Sequence, residues 1–326
     1  FLNIFLTLLG HTASVTMTGR VAAVNHPGQR GRPRPVSLSA KVKRMQHQFS
    51  WSKSNQLQVV YGTPTPATHG RPVRWEDFGP DFAGLLSTFA PISLSEMSSV
   101  ALQDRIDTKY VMTERQLYAA LAGLADDYRV LDIDGVRLNH YRTLYFDTAD
   151  FELFQQHHSG RRERYKVRSR SYVDSRLSFL EVKHKVSRSR TVKSRIATDA
   201  FVDTLTPAAD GFLQEQLPFD PTTLEPKLWN EYTRITLVSL ADCERVTLDL
   251  NLSFSADGRT MALPGIAIAE VKQNGINRDS AFVRRMRALN LRTTGFSKYC
   301  AGVSLLYSDV KHNNFKPHLR TMSKLI

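Results

Sequence analysis

The stretch at residues 164–172, Arg-Tyr-Lys-Val-Arg-Ser-Arg-Ser-Tyr, places a cation at every second position. The cations are Arg164, Lys166, Arg168 and Arg170. Alternate side chains of a β-strand share one face of the sheet. Like charges along one face repel each other unless water or an anion lies against them. This stretch therefore predicts a strand that binds a phosphate-rich ligand.

Other stretches alternate charged or polar residues with apolar residues in the same way, namely 180–185, 192–196, 245–252 and 269–272. Half-buried strands with solvated outer faces would explain any single one of them. Taken together, they favour an α+β fold built on an antiparallel β-barrel with flanking helices. In this fold the apolar faces pack outward under the helices and the charged faces line a water-filled lumen.

Composition narrows the choice of partners without identifying one. The chain has 326 residues, a formal net charge of +13 and a pI near 9.8, which favours nucleic acid, acidic lipid or phosphorylated small molecules as partners. Cys243 and Cys300 lack the spacing of a zinc ribbon or a disulfide framework, and this favours a reducing, cytoplasmic setting. No stretch approaches the roughly 20 apolar residues of a membrane-spanning helix.

The chain divides into three regions by composition. Residues 1–86 are rich in Pro, Gly, Ser and Arg and are predicted to be a disordered, basic, low-complexity segment. Residues 87–312 carry the periodic patterns and are expected to form one domain, and residues 313–326 are expected to be a C-terminal tail.

Local signals predict several elements of this domain. Thr113 and Gln116 have the spacing of a capping box, which predicts a helix that ends by Asp126. Asp134-Gly135 is a turn signal between two strand-like stretches, 128–132 and 136–146, and predicts a hairpin. Further along, 201–217 is predicted to be helical or irregular, 218–226 a loop, 229–237, 245–254 and 266–272 strands, and 280–289 an amphipathic helix.

Seven short motifs then occur in a fixed order. They are Arg105-Ile106-Asp107-Thr108-Lys109-Tyr110, Tyr145-Phe146-Asp147-Thr148, the stretch 165–172, Glu181-Val182-Lys183-His184-Lys185, Tyr232-Thr233-Arg234, Glu270-Val271-Lys272 and Ser297-Lys298-Tyr299. In this order they resemble the VTC-type polyphosphate polymerase domain, named for the vacuolar transporter chaperone complex, over about residues 89–310. The resemblance implies a triphosphate tunnel fold, whose basic lumen holds polyphosphate and a nucleoside triphosphate.

The resemblance also implies a reaction in which the terminal phosphoryl group of ATP passes to a growing polyphosphate chain. In such a reaction the protein mainly positions phosphates and neutralises their charge. By motif, the phosphate-binding residues would be Lys109, Arg168, Arg170, Lys183, Lys193, Arg234 and Lys298. Arg164, Lys166, Lys185, Arg195, Arg245 and Lys272 form a second, less strongly supported set on the same faces.

Glu270 corresponds to the carboxylate that binds Mn²⁺ or Mg²⁺ in this family. The alternative is an ion pair between Glu270 and Lys272 or another cation of the lumen. Glu181 also faces the lumen, and we expect it to relieve repulsion between neighbouring cations rather than to bind metal. The remaining candidates are expected to be structural: Asp147 and Asp249 as strand-end or ion-pair residues, and Tyr110, Tyr232 and Tyr299 as packing residues. His157 and His158 receive no role.

Two alternatives to a polymerase remain open, a triphosphatase of the same fold and a non-catalytic sensor of polyphosphate or nucleotide. Related hydrolases begin with a Glu-x-Glu-x-Lys strand, whereas this chain has Arg-Ile-Asp-Thr-Lys at residues 105–109. This favours the polymerase. Nucleic-acid binding is not expected, because the cationic face of 164–170 lacks interleaved aromatic residues. A bacterial source is expected, and a separate membrane protein is compatible with the sequence as a partner.

Overall fold

A computed structural model describes residues 59–61, 80–98, 105–187 and 190–325. Most of the segment predicted to be disordered lies outside these ranges. The described chain forms a twelve-stranded, mainly antiparallel sheet with flanking helices, which confirms the α+β class. None of its helices has the length and apolar character that crossing a membrane requires, within these ranges.

The strands have the following bounds: β1 Val59–Tyr61, β2 Pro91–Ile92, β3 Ile106–Thr113, β4 Tyr128–Leu131, β5 Asn139–Thr148, β6 Arg164–Tyr172, β7 Leu177–Lys185, β8 Thr191–Thr198, β9 Leu224–Ser239, β10 Glu244–Ala256, β11 Arg259–Leu263 and β12 Ile266–Gln273. The α-helices are α1 Pro80–Ser87, α2 Leu94–Ser98, α3 Glu114–Leu121, α4 Glu152–His158, α5 Pro207–Gln216, α6 Ala281–Ala288, α7 Lys298–Leu306 and α8 Lys316–Ser323.

Eight strands form the framework of the sheet, in the order β3-β12-β10-β9-β5-β6-β7-β8. All seven pairings in this order are antiparallel. A branch leaves β10 through β11 to β1, and β4 pairs with the end of β9 and, in parallel, with β2. The framework therefore begins and ends at β3 and β8.

Each framework strand has an apolar outer face and a largely polar inner face. Helices α1, α3 and α6 cover the outer faces of β3, β9, β10 and β12, where side chains such as Leu86, Leu121 and Phe282 are fully buried. Helix α5 covers the outer faces of β5, β6 and β7, with Leu213 at the centre of that contact. Helix α7 instead fills one side of the interior, where Tyr299 and Val303 are buried. The predicted arrangement of apolar outer and charged inner faces is confirmed.

The predicted helix boundaries at residues 113 and 280 are also confirmed. The Thr113 hydroxyl accepts the backbone N–H of Gln116, and the Gln116 side chain accepts the backbone N–H of Thr113. This reciprocal capping box starts α3. The Ser280 hydroxyl caps α6 by accepting the backbone N–H of Val283. These local hydrogen bonds satisfy helix N–H groups that would otherwise lack partners.

The predicted hairpin around Asp134-Gly135 is wrong. Strands β4 and β5 do not pair with each other as a ladder; both pair with β9, Tyr128 lying opposite Ser239 and Asn139 opposite Arg234. A single bridge between Ile133 and Val136 closes the turn. The reason is the length of β9, whose 16 residues offer one edge to both strands in succession.

The predicted barrel is not closed. Strands β3 and β8 form no ladder with each other within the described residues, so they are the free edges of the framework. The sheet nevertheless curls strongly, because Lys109 of β3 and Thr191 of β8 line one cavity. The lumen is therefore open along one side.

Described elements also lie outside residues 87–312, at both ends. Strand β1 pairs with β11, and α1 buries Leu86, so these two parts of the segment 1–86 are ordered. The expected tail at 313–326 contains α8, which buries Met322. Apolar contacts with residues far away in the sequence fix α1 and α8.

Candidate phosphate-binding site

A cavity of about 460 Å³ lies between the two free edges of the framework and the N-terminal end of α7. Its cationic lining consists of Lys109, Arg164, Lys166, Lys183 and Lys185. Among the described residues that line the cavity, Asp107 is the only one with a carboxylate. The cavity is therefore strongly electropositive and suits a polyanion.

The four alternating cations of β6 all lie on the inner face of the sheet. Arg164 and Lys166 line the cavity, whereas Arg168 and Arg170 lie deeper in the interior, and the side chain of Arg170 is buried. Four neighbours are brought to the same interior by the curvature of the sheet, namely Lys193 of β8, Arg234 of β9, Asp249 of β10 and Lys298 of α7. We call Arg168, Arg170, Glu181, Lys193, Arg234, Asp249 and Lys298 the inner network.

Glu181 holds two cations of the inner network in place. Its carboxylate accepts the Nε–H of Arg168 at 2.6 Å and an ammonium hydrogen of Lys193. The side chain is only 1% exposed. Burial raises the pKa of the Glu181 carboxyl, but Arg168 and Lys193 outweigh burial and hold the pKa well below its ordinary value. Glu181 is therefore ionised and its charge is balanced by the neighbouring cations, as expected.

Asp249 plays the same part for Arg234 and Lys298. The guanidinium of Arg234 donates two hydrogen bonds to the carboxylate, at 2.6 and 2.8 Å, and the Lys298 ammonium donates a third. Burial alone would raise the pKa of Asp249, but Arg234 and Lys298 lower it by more than burial raises it. The pKa of Asp249 therefore lies below its ordinary range. The expectation that Asp249 is an ion-pair residue is confirmed. A bidentate pair of this kind fixes the plane of the guanidinium.

Glu270 lies closer to the cavity and also contacts two lysines. Its Oε2 lies 2.7 Å from Lys272 Nζ, and its Oε1 lies 3.4 Å from Lys109 Nζ. Lys272 also donates to the Thr247 hydroxyl at 3.0 Å. Within the described residues, no group of three or more His, Cys, Asp or Glu side chains comes together as a metal site. Glu270 can thus supply an isolated carboxylate ligand, and the other ligands of a bound ion would have to come from phosphate oxygens and water.

We call Lys109, Lys166 and Lys183 the cavity lysines; Lys109 has one long contact with a carboxylate, that of Glu270, and the other two have none within the described residues. Lys109 donates to the Phe296 carbonyl at 3.2 Å, in addition to its long contact with Glu270. Lys166 donates to the Ser297 hydroxyl at 2.7 Å. The Lys183 side chain is exposed to the lumen and makes no hydrogen bond or ion pair to another described residue.

The pKa values of two of the cavity lysines show the effect of crowding. Removal from bulk solvent lowers the pKa of Lys183 to about 8, and the positive charges of Lys109 and Lys166 contribute to the decrease. Burial also lowers the pKa of Lys166, with further contributions from Lys109 and Arg168. A nearby anion would reverse these shifts, because it favours the charged form of each lysine. Burial also lowers the pKa of Lys109, but Glu270 and Asp107 outweigh burial and raise it above its ordinary value.

Aromatic rings separate the guanidinium groups of the inner network. Tyr141 and Tyr232 stack with a centroid separation of 5.1 Å, and the Arg234 guanidinium lies 4.9 Å from the Tyr141 ring centroid. The Lys298 ammonium lies 4.4 Å from the centroid of Tyr232. Both rings are buried, as expected of packing residues, and neither forms an exposed platform for bases. These rings come from β5 and β9, the neighbours of β6 and β10 in the sheet.

The other members of the second set divide between the cavity and the deeper interior. Lys185 and Arg164 lie at the cavity, at the paired ends of β6 and β7. The side chains of Arg195, Arg245 and Lys272 are buried on the inner face. The structure thus brings all the predicted phosphate-binding residues to one interior.

The remaining candidates have structural positions. Asp147, at the end of β5, accepts the backbone N–H groups of Thr148, Leu153 and Phe154, and also the Tyr299 hydroxyl. It therefore anchors α4 and α7, as a strand-end residue. His158 accepts the backbone N–H of Asn314, and its carbonyl accepts the Asn314 side-chain amide. Tyr110 is buried among apolar residues.

Several cavity residues were not predicted from the sequence. His157 lines the cavity and bonds the Tyr165 carbonyl through Nε2 at 3.1 Å. The loop 294–297 contributes the Phe296 carbonyl and the Ser297 hydroxyl that hold the cavity lysines. A further part of the lining comes from the expected tail and consists of Phe315, His318, Leu319 and Met322. Ser297 carries a sequence signal as the N-cap of α7, but the others have none.

The sequence comparison identifies the family. Residues 104–307 match the VTC domain, which is more than half of the chain, so the chain belongs to the VTC domain family. This confirms the resemblance of the seven motifs. Comparison with curated proteins found no match.

Solved structures of low sequence identity also match the chain. A candidate adenylate cyclase from Vibrio parahaemolyticus has 16% identity and a TM-score of 0.38, with coverage of 61% of this chain and 97% of that one. One from Bacillus halodurans has 12% identity and a TM-score of 0.38, with coverage of 63% and 99%. A candidate adenylyl cyclase from Hippeastrum, described as having a dominant triphosphatase activity, has 14% identity and a TM-score of 0.38, with coverage of 64% and 99%.

Proposed function

We propose that this protein is an ATP-dependent polyphosphate polymerase, which acts inside the cation-lined lumen. Membership of the VTC domain family supports an enzyme that acts on triphosphates or polyphosphate. The observation that carries the proposal is the row of inward cations, which outnumber the carboxylates beside them and include lysines with lowered pKa values. A bound polyanion would supply the negative charge that balances these cations.

In the proposed reaction, the bond between the γ-phosphorus of ATP and its bridging oxygen breaks, and ADP leaves. A terminal oxygen of the polyphosphate chain forms the new bond to that phosphorus. The inner network supports this transfer because Glu181 and Asp249 hold the guanidinium groups of Arg168 and Arg234 in fixed positions. Fixed positive charges of this kind stabilise negative charge in a phosphoryl-transfer transition state.

A divalent ion fits this site only if phosphate oxygens supply part of its coordination shell. Glu270 would contribute one carboxylate ligand in place of its contacts with Lys109 and Lys272, and phosphate oxygens and water would complete the shell, as Mg²⁺ commonly requires. When bound, Mn²⁺ or Mg²⁺ would neutralise charge on the phosphate oxygens. We therefore assign Glu270 as the proposed metal-binding residue.

The placement of the carboxylates favours transfer to polyphosphate over hydrolysis. Asp107 is the residue that corresponds best in sequence to the carboxylates of the Glu-x-Glu-x-Lys strand of related hydrolases. Its carboxylate pairs with Arg105 at 3.0 Å. Glu181 and Asp249 are buried and neutralised by cations. A site that activates water through metal ions needs carboxylates available for the metal, and here Glu270 is the best-placed one of the described residues. The free cysteines Cys243 and Cys300 fit the cytoplasm as the proposed location.

The test is to incubate the full chain with ATP and Mn²⁺, separate the products on a gel stained for polyphosphate, and assay free phosphate in parallel. A ladder of long chains is expected, and the variant Arg170→Ala should lose it, whereas Arg287→Ala on the outer face of α6 should keep it. Free phosphate without chains would instead indicate a triphosphatase. Tight binding of ATP or polyphosphate without either product would indicate a sensor.

A further inference from the structure

One residue of the cavity, His157, differs in its chemistry from the cations around it. The ammonium groups of the cavity lysines and the guanidinium of Arg164 can only donate hydrogen bonds. The imidazole of His157 lines the same cavity, and a neutral imidazole has one nitrogen that donates and one that accepts. His157 therefore adds an acceptor to a lining that is rich in donors.

The hydrogen bond to Tyr165 determines which nitrogen of His157 accepts. Nε2 lies 3.1 Å from the Tyr165 carbonyl oxygen. Because a carbonyl oxygen only accepts, Nε2 must carry the hydrogen, and Nδ1 of the neutral ring is the acceptor. Removal from solvent lowers the pKa of His157 to about 2, and the positive charges of Lys166, Arg164 and Lys183 contribute to the decrease. The ring is therefore neutral at physiological pH.

Helix α4 holds this ring at the cavity. Asp147 accepts the backbone N–H groups of Leu153 and Phe154, and the Phe154 side chain is fully buried. His157 lies about one turn further along the same helix. Its side chain is half-buried and lines the cavity, so a ligand can contact it without any change in the fold.

A phosphate group that carries an acidic hydrogen is the complementary partner for such an acceptor. The internal phosphates of a linear chain are fully ionised, so they can only accept hydrogen bonds. A terminal phosphate has a second ionisation, with a pKa of about 6 in phosphate monoesters, and near this pH it keeps a P–OH hydrogen. The P–OH group can donate to Nδ1 of His157 while the other phosphate oxygens accept from the cavity lysines.

We infer that His157 forms a subsite for the protonated end of a linear phosphate chain, so that the cavity prefers a chain with a terminal P–OH group to a phosphate without one. The inference rests on the proposed function, because it assigns the place of one end of the polyphosphate in the same lumen. Recognition consists of one hydrogen bond from the P–OH group to Nδ1, and the cavity lysines balance the charge of the phosphates.

The test compares linear tripolyphosphate with cyclic trimetaphosphate, whose phosphates are all internal and carry no P–OH hydrogen. The affinity of the full chain for each is measured by calorimetry at pH 6, which lies below the pKa of about 8 of Lys183 and keeps this lysine charged. His157→Leu should weaken tripolyphosphate binding by about tenfold, the value of one hydrogen bond to a charged group. The same variant should bind trimetaphosphate with unchanged affinity.

Two further variants make the comparison specific. His157→Asn keeps an acceptor oxygen close to the position of Nδ1 and should restore most of the affinity for tripolyphosphate. His140→Leu is the matched control, because His140 is also half-buried but alternates with the inward Tyr141 on β5 and does not line the cavity. Trimetaphosphate binding also reports whether each variant keeps the folded cavity.

Three results would overturn the inference. An equal loss of affinity for both ligands in His157→Leu would mean that His157 only supports the cavity through Tyr165. No loss for either ligand would mean that the chain end lies elsewhere. If His157→Asn binds tripolyphosphate no better than His157→Leu, the acceptor atom has no part in binding.

The outcome is separable from the proposed function. If the affinities follow the prediction and the wild-type chain makes no polymer, the polymerase is refuted and the subsite stands. If the chain makes polymer and the His157 variants bind both ligands as the wild type does, the subsite is refuted and the polymerase stands.

Discussion

The inner network and the cavity lysines carry the same charge but differ in how that charge is supported. In the inner network, the buried carboxylates of Glu181 and Asp249 hold the cations through short hydrogen bonds. The cavity lysines instead contact a hydroxyl, a carbonyl or the lumen, and only Lys109 also reaches a carboxylate of the described residues, that of Glu270 at 3.4 Å. One interior thus contains a rigid part, in which two carboxylates hold four of five cations and which can position phosphates, and a crowded part with little carboxylate contact, which can attract them.

The largest effect should follow from breaking the inner network. Arg234→Ala would leave the buried Asp249 with Lys298 as its remaining cationic partner. Removal of one partner from a buried ion pair typically costs about 3 kcal/mol or more. We therefore expect the free energy of unfolding to fall by about this amount, as measured by urea denaturation. A change within error would show that Asp249 does not depend on Arg234.

The matched substitution among the cavity lysines, Lys183→Ala, should not lower the stability of the fold. Lys183→Ala removes an exposed cation from a group of like charges, so we expect unchanged or slightly higher stability. Binding of tripolyphosphate should weaken by about tenfold, the value of one charged hydrogen bond. A loss of stability as large as that of Arg234→Ala would contradict the difference between the two regions.

The third effect is a dependence of binding on pH. The pKa of Lys183 is lowered to about 8 in the free protein, so a bound polyanion should raise it and binding near pH 8 should take up protons. Because the free lysine loses its proton as the pH rises through about 8, affinity should fall above that pH. Calorimetry in buffers of different ionisation enthalpy measures the uptake. An equal uptake in Lys183→Gln would assign the proton to another group.

The smallest effect should come from a neutral neighbour of the inner network. The Tyr145 hydroxyl lies 3.4 Å from a terminal guanidinium nitrogen of Arg168, a long contact. Tyr145→Phe keeps the ring and its packing against Tyr299. We expect less than about 1 kcal/mol of lost stability in thermal unfolding. A larger loss would mean that the hydroxyl, rather than Glu181, fixes Arg168.

The sequence predicts the inner face of the sheet well because strand alternation is a local property. Arg168 and Arg170 occupy the positions that their spacing indicates, and Thr113 caps its helix by contacts within three residues. The partners of these cations are less predictable. Nothing local shows that Asp249 pairs with both Arg234 and Lys298, because the curvature of the sheet and the docking of α7 bring them together.

The incorrect prediction of a hairpin has a similar cause. The Asp134-Gly135 turn has the signal of a hairpin, but the long edge of β9 competes successfully for both flanking strands. The segment 313–325 is likewise held by contacts that are distant in the sequence, such as that of Asn314 with His158. Tertiary contacts of this kind override local patterns.

The most direct test of the central claim is the affinity of the full chain for long-chain polyphosphate, compared between an inner and an outer substitution. Arg170→Ala, in the inner network, should weaken binding by at least about tenfold. Arg287→Ala should leave binding unchanged, because this side chain is 56% exposed on α6. Equal and small losses in both variants would contradict binding inside the lumen and would place polyphosphate on the outer basic surface.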